Sequence, residues 1–209
     1  MYLWEQQGWP DLVWFGAALS GLLARTSREQ GRLLGKMENL GFGLREEVHL
    51  RTLTEDVVKS SEIECETLDS GQVRSSIAGR LGMDVGGLIP GDRDVEGVVE
   101  MMLDATVKHA LTLTEERLFA WHAPLFPSGR SGLTRRAGQW HDDRDGPMQV
   151  VSGPIRRDRV HYQAPPAERV SDEMTRFLYW FDHPGDMDPL LAAGLAQLWL
   201  VTIHHSARC

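Results

Sequence analysis

The stretch DPLLAAGLAQLWLVTIH, running from Asp188 to His204, decides how this chain is read. Asp188 followed by Pro189 is a helix start with a mechanism. The carboxylate accepts an orphan backbone N–H, and proline at the first helical position has no N–H to leave unpaired. Leu190, Leu191, Leu195, Leu198, Trp199 and Thr202 then recur at helical spacing. A helix that reaches Thr202 puts His204 at or just beyond its C-terminus. Taken alone, Ile203, His204 and His205 would read as a frayed chain end.

Working outward, most of the 209 residues keep the same period. Trp14, Phe15, Ala18, Leu19, Leu22 and Leu23, continuing to Leu33, Leu34, Met37 and Leu40, trace one face of a long helix, closed by Gly41-Phe42-Gly43. Gly31 and Gly35 lie inside it, and each costs roughly 1 kcal/mol relative to alanine, which suits a site where another helix approaches closely. Val48 to Val58 predicts a second helix. Asp69, with Gln72 three positions on, resembles a capping box opening a third. The segment from Gly82 to Gly91, with Gly86, Gly87 and Pro90, is the clearest linker. Beyond it, Val95 to Thr106 and the run following Thr112-Leu113-Thr114-Glu115 predict two more helices, and Val170 to Phe181 another.

One region breaks the helical period. Met148-Gln149-Val150-Val151 and Val160-His161-Tyr162 are short, β-branched or aromatic, and separated by Ser152-Gly153-Pro154 and a charged turn. They predict a lone β-hairpin. Two strands alone are marginal in water, so the hairpin must pack on the helices or offer an edge to something else.

Composition bounds the function. With 42% hydrophobic and 25% charged residues the chain is an ordinary globular protein. A net charge of −8 argues against a nonspecific nucleic-acid or membrane-surface binder, which needs Lys and Arg to displace counterions. The two cysteines, Cys65 and Cys209, do not make a disulfide framework, and no signal peptide or membrane-spanning run is present in these residues. The expectation is a cytoplasmic protein.

Metal and nucleotide motifs are sparse. His204 and His205 are adjacent and diverge on a regular element, so no zinc site is assigned. His141-Asp142-Asp143 and Asp145 offer oxygens to a hard cation but read better as a solvated acidic turn. P-loop, dinucleotide-binding, nucleophile-elbow and HExxH motifs are all missing from the sequence.

Several separate blocks, in order, resemble one family. They are Tyr2-Leu3-Trp4, Trp9-Pro10, Gln30 to Lys36, Leu40-Gly41-Phe42, Val57-Val58-Lys59-Ser60-Ser61, Val73 to Ile77, Gly146 to Gly153, and Val201-Thr202-Ile203-His204. On them the chain resembles the Fic (Fido) family, specifically bacterial members with an N-terminal helical domain of the DUF4172 type. The resemblance implies a mainly α fold: an N-terminal helical regulatory domain over 1–81, a Gly-rich connector over 82–93, and an incomplete Fic core over 94–209 with a β-hairpin flap. It also implies adenylyltransferase activity, in which AMP passes from ATP, with Mg²⁺, to a hydroxyl side chain of a target protein.

The implied roles fall on particular residues. His204 matches the catalytic base, a role that suits an imidazole titrating near neutrality. Ser60 and Glu64 match an inhibitory pattern in which the glutamate occupies an arginine of the phosphate loop, although Cys65 stands where glycine or asparagine is usual. Met148, Gln149, Val150, Val151, Ser152 and Gly153 match the flap strand that docks the target. After His204 the likeness stops. His205 and Ser206 depart from the motif, and the acidic metal ligand and Gly-rich phosphate turn do not follow within the sequence. The expectation is a truncated or frameshifted reading with little or no catalysis, because phosphoryl-type transfer depends on positioning and charge stabilisation. The competing expectation is a noncatalytic protein-interaction or regulatory module. A homo-oligomer is compatible with either, and truncation should expose Leu195 and Trp199 if their packing partners lie downstream.

Overall fold

The computed structural model describes residues 1–63, 66–83, 86–87, 89–122, 130–131, 135–136, 140–144, 146–152 and 159–203. The described elements are a 3-10 turn at Leu3–Glu5, then α1 (Gly16–Glu38), α2 (Phe42–Ile63), α3 (Ser70–Arg80), α4 (Arg93–Val107), α5 (Glu115–His122), β1 (Arg130–Ser131), β2 (Arg135–Arg136), β3 (Gln149–Ser152), β4 (Arg159–Gln163), α6 (Ala167–Asp182) and α7 (Pro189–Ile203). The mainly helical expectation holds, and the hairpin is β3 paired antiparallel with β4. A second antiparallel pairing, β1 with β2, was not predicted, since its strands are two residues each and carry no alternation to read.

The contacts group the chain into two compact units. One runs from Trp14 to Ala110 and takes in a short stretch from Ala120. The other joins Met1–Val13, Leu111–Phe119 and the chain from Arg130 onward.

In the first unit, α2, α3 and α4 share one apolar core. Leu50, Leu53 and Val57 come from α2, Val73, Ile77 and Ala78 from α3, and Val95, Val98 and Val99 from α4. Two aspartates start the helices: Asp69 accepts from the Gln72 N–H at 2.8 Å, and Asp92 from the Val95 N–H at 3.0 Å. The reciprocal half of the anticipated capping box is replaced by a longer reach, because the Gln72 side-chain oxygen accepts the Asp92 N–H at 2.9 Å and so ties one helix start to the next.

α1 departs from its expectation. None of its residues is buried. No described atom comes within 4 Å of where a Cβ would stand on Gly31 or Gly35.

In the second unit, α6 packs on α7, and the N-terminal segment lies against both. α6 buries Val170, Glu173, Met174 and Phe177. Trp199 of α7 meets Trp9 and Phe177 edge-on and Trp180 at a tilt, with centroids 5.8, 5.7 and 5.4 Å away. Trp199 is therefore buried rather than exposed, since its partners lie on α6 and in the first ten residues; the exposed apolar residues of α7 are Leu198 and Val201. α7 begins as its sequence predicts, the Asp188 carboxylate accepting from the Leu190 N–H at 2.9 Å.

Candidate functional site

Polar handles lock the N-terminal segment onto α6 and β4. The Trp9 indole N–H donates to Glu173 at 2.9 Å, and Glu173, only 2% exposed, is also paired with Arg169 at 2.8 Å and Arg176 at 3.7 Å. A carboxylate so far out of water needs these partners, because an uncompensated buried charge is strongly destabilising. The Trp4 indole N–H donates to the Gln163 carbonyl at 2.7 Å, and the Arg169 guanidinium lies 5.3 Å over the Trp4 ring. Tyr2 packs edge-on against Tyr162. The end of β4 is thereby held against the helices from one side.

The other anchor is Tyr162. Its hydroxyl donates to the Thr202 carbonyl in the last turn of α7, an orphan acceptor that the helix itself leaves unpaired. Burial pushes the Tyr162 phenol up to about 12, the Thr202 side chain working against that shift, so the group remains a donor at neutral pH.

β3 is fixed through β4. Val150 faces Tyr162 and Gln149 faces Gln163, and the register slips by one residue between Val150 and Val151. The Gln149 amide donates to the Gln163 side-chain oxygen at 2.8 Å, and the Ala164 N–H to the Met148 carbonyl at 2.9 Å. Met148 is buried and roots the strand. Outward from it the side chains emerge: Gln149 and Val150 are half-buried, Val151 and Ser152 exposed, and the Ser152 hydroxyl meets a His161 ring nitrogen at 2.5 Å. On its far side β3 pairs with no described strand. The extra residue of the bulge, His161, belongs to β4, and the unpaired edge of β3 leaves backbone N–H and C=O groups free for an added strand.

The acidic turn proves structural. His141 is buried, with a ring nitrogen 3.2 Å from the Pro165 carbonyl. Asp143 accepts the Ala167 N–H at 2.8 Å, placing a carboxylate at the start of α6 where the helix dipole favours it, and Asp142 pairs with Arg144.

Of the residues singled out in the sequence, the structure brings Met148, Gln149, Val150, Val151 and Ser152 together on one strand. Ser60 sits exposed on the last turn of α2. Glu64, Gly153 and His204 lie outside the described residues. Ile203, which precedes His204, is fully buried. Sequence reasoning passed over Tyr162, Trp4 and Trp9 as positioning residues; tyrosine on an otherwise aliphatic hairpin and two tryptophans in the first ten residues were the available signals.

Among the described residues no group of three or more His, Cys, Asp or Glu could hold a metal ion, and no helix is long and apolar enough to cross a membrane.

Comparison with known proteins bears on the fold. The model of a domain of unknown function, DUF4172, matches residues 2–83. No curated protein matches the sequence. Among solved structures, a Fic family protein from Desulfovibrio desulfuricans G20 superposes with a TM-score of 0.51 at 22% identity, covering 88% of this chain and 52% of that one. The chain thus spans about half the length of that protein. The fold is thus similar to that of a Fic family protein, and residues 2–83 at the N-terminus match the DUF4172 model.

Proposed function

We propose that this chain carries the target-docking half of a Fic-type protein adenylyltransferase, the reaction in which AMP passes from ATP to a hydroxyl side chain of a target protein. The observation that carries the reading is the Tyr162–Thr202 hydrogen bond. It ties the hairpin to the last turn of α7, two residues before His204. A target segment added along β3 would lie next to the residue assigned as general base, which takes the proton of the target hydroxyl. Proximity of docking strand and base is what converts target binding into a directed proton transfer.

Ser60 and Glu64 are proposed as the inhibitory pair. Ser60, exposed on the final turn of α2, is placed to meet another surface. The 209-residue polypeptide by itself is expected to transfer little or no AMP.

The unpaired edge of β3 favours a second reading, that docking itself is the function and the chain is a noncatalytic interaction module. One experiment separates them. The purified chain, its Glu64→Gly form and its His204→Ala form are incubated with labelled ATP, Mg²⁺ and lysate proteins. Label that rises with Glu64→Gly and vanishes with His204→Ala supports the transferase and overturns the expected inactivity. No label from a folded protein, with binding of an extended peptide that Val150→Pro abolishes, supports the docking module. Absence of both sinks both readings.

A further inference from the structure

α1 is the longest described element, and it shares no extensive packing with another described element. It is 23 residues long, none of them buried, and Leu22, Leu33 and Leu34 are 63, 60 and 63% exposed. An isolated helix draws most of its stability in a protein from packing an apolar face, and stripes of this size on a soluble surface mark interaction sites. What the stripe pairs with is written in its spacing.

The stripe is two-fold symmetric about Arg28. Leu19 mirrors Met37, Leu22 mirrors Leu34, Leu23 mirrors Leu33, and Thr26 mirrors Gln30. Gly21 mirrors Gly35, and Arg28 itself, two residues from both Thr26 and Gln30, points away from the stripe. From Leu19 through Leu23, Thr26, Gln30 and Leu33 to Met37, the steps alternate between four and three residues, the spacing of a helix seam that packs against another helix. A sequence that maps onto itself when reversed is what an isologous contact between two identical helices requires.

We propose that α1 is a homodimerisation helix, pairing antiparallel with α1 of a second copy of this chain. Each leucine of the stripe from Leu19 to Leu34 then meets a leucine or methionine of the other copy. Charge agrees with this register. Arg25 falls opposite Gly31 of the second copy, Arg32 opposite Ala24 and Lys36 opposite Ser20, so no cation faces a cation. The two polar residues in the middle also discriminate between occupants. A stripe lying on lipid has no use for Thr26 and Gln30 at its centre, whereas in the pair each Thr26 faces a Gln30 of the other copy, and two buried hydrogen-bonding layers fix the register. In the single chain the Thr26 hydroxyl bonds its own helix, donating to the Leu22 carbonyl at 3.0 Å, and the same oxygen stays open as an acceptor.

The test uses the full chain in sedimentation equilibrium. The expected mass is twice the 23.5 kDa of one chain. Leu22→Glu with Leu33→Glu should halve it, and Arg28→Glu, on the opposite side of the helix, should leave it doubled. These side chains are exposed in the single chain, so both variants should melt as the parent does, which circular dichroism checks. Spin labels at Ser20, in a Cys65→Ser and Cys209→Ser background, fix the orientation. An antiparallel pair centred on residue 28 holds the two labels about 24 Å apart along the axis, whereas a parallel pair holds them about 10 Å apart. A chain that stays monomeric, including one that instead floats with anionic vesicles, overturns the proposal. So does a dimer that survives the double substitution, or one that gives the short distance.

Discussion

α1 and α6 are both long amphipathic helices in sequence, yet α6 buries Val170, Glu173, Met174 and Phe177 while α1 buries nothing. An apolar stripe specifies that a helix can be covered; it does not say by what. α6 is covered twice, by α7 and by the N-terminal segment, and the second cover is chosen by polar handles. Trp9 is held because its N–H finds the one buried carboxylate on α6. α1 has a stripe of comparable length, but the described side-chain bond it receives from another element, the Arg45 guanidinium donating to the Glu38 carbonyl at 2.9 Å, falls on its last residue and not on the stripe. Shape and apolarity set the size of the possible stabilisation, and specific polar contacts select the partner.

The sharpest way to break this comparison is to truncate one residue of each stripe. Phe177→Ala empties a fully buried ring site packed by Trp199 and Phe181, and should cost about 3 to 5 kcal/mol in urea unfolding. Leu33→Ala on α1, measured dilute enough that the chain is monomeric, should change stability by less than about 0.5 kcal/mol. Equal losses would mean that α1 has a cover within the same chain.

A smaller effect tests the polar handle. Trp9→Phe keeps an aromatic ring against Trp199 but removes the N–H that Glu173 accepts, and should cost about 2 kcal/mol, the range for a hydrogen bond to a charged group. A matching Trp4→Phe, which loses a bond to a neutral carbonyl, should cost about half as much. If the two substitutions are equivalent, the buried carboxylate is not what selects the N-terminal segment.

The same contrast explains how much could be read beforehand. α7, α2, α3 and the hairpin were legible because each carries a local signal: Asp188 before Pro189, the 3.6 period from Val48 to Val58, Asp69 as a cap, and β-branched residues between turns. The burial of Trp199 was not legible, because its partners come from residue 9 and from α6, and no local rule couples positions so far apart. The exposure of α1 escaped for the complementary reason, since periodicity reports the stripe and is silent about its cover. At the hairpin, the strand from Gln149 to Ser152 could be read, whereas its fastening through Tyr162 to the end of α7 could not. A lone tyrosine on a strand gives no hint that its hydroxyl reaches a helix terminus 40 residues on.

That fastening supplies the smallest effect and the one with a clear sign. Tyr162→Phe should cost about 1 kcal/mol at neutral pH, the net worth of one hydrogen bond. Its pH dependence separates it from simple loss of packing. The phenol is raised in the fold from 10.0 to about 12, so the native state holds the proton more tightly than the unfolded chain does. The contribution is therefore complete below pH 10 and is lost as the pH climbs from about 10 through about 12. Melting curves across that window should fall more steeply for the parent than for Tyr162→Phe, and the gap between them should close by its upper end. Parallel curves would mean that the hydroxyl is not buried against α7, and the hairpin would then have to be held by Trp4 and Met148 alone. In that case β3 keeps its free edge but the hairpin loses its tie to the last turn of α7, and the proposal that target docking and the general base share one site fails with it.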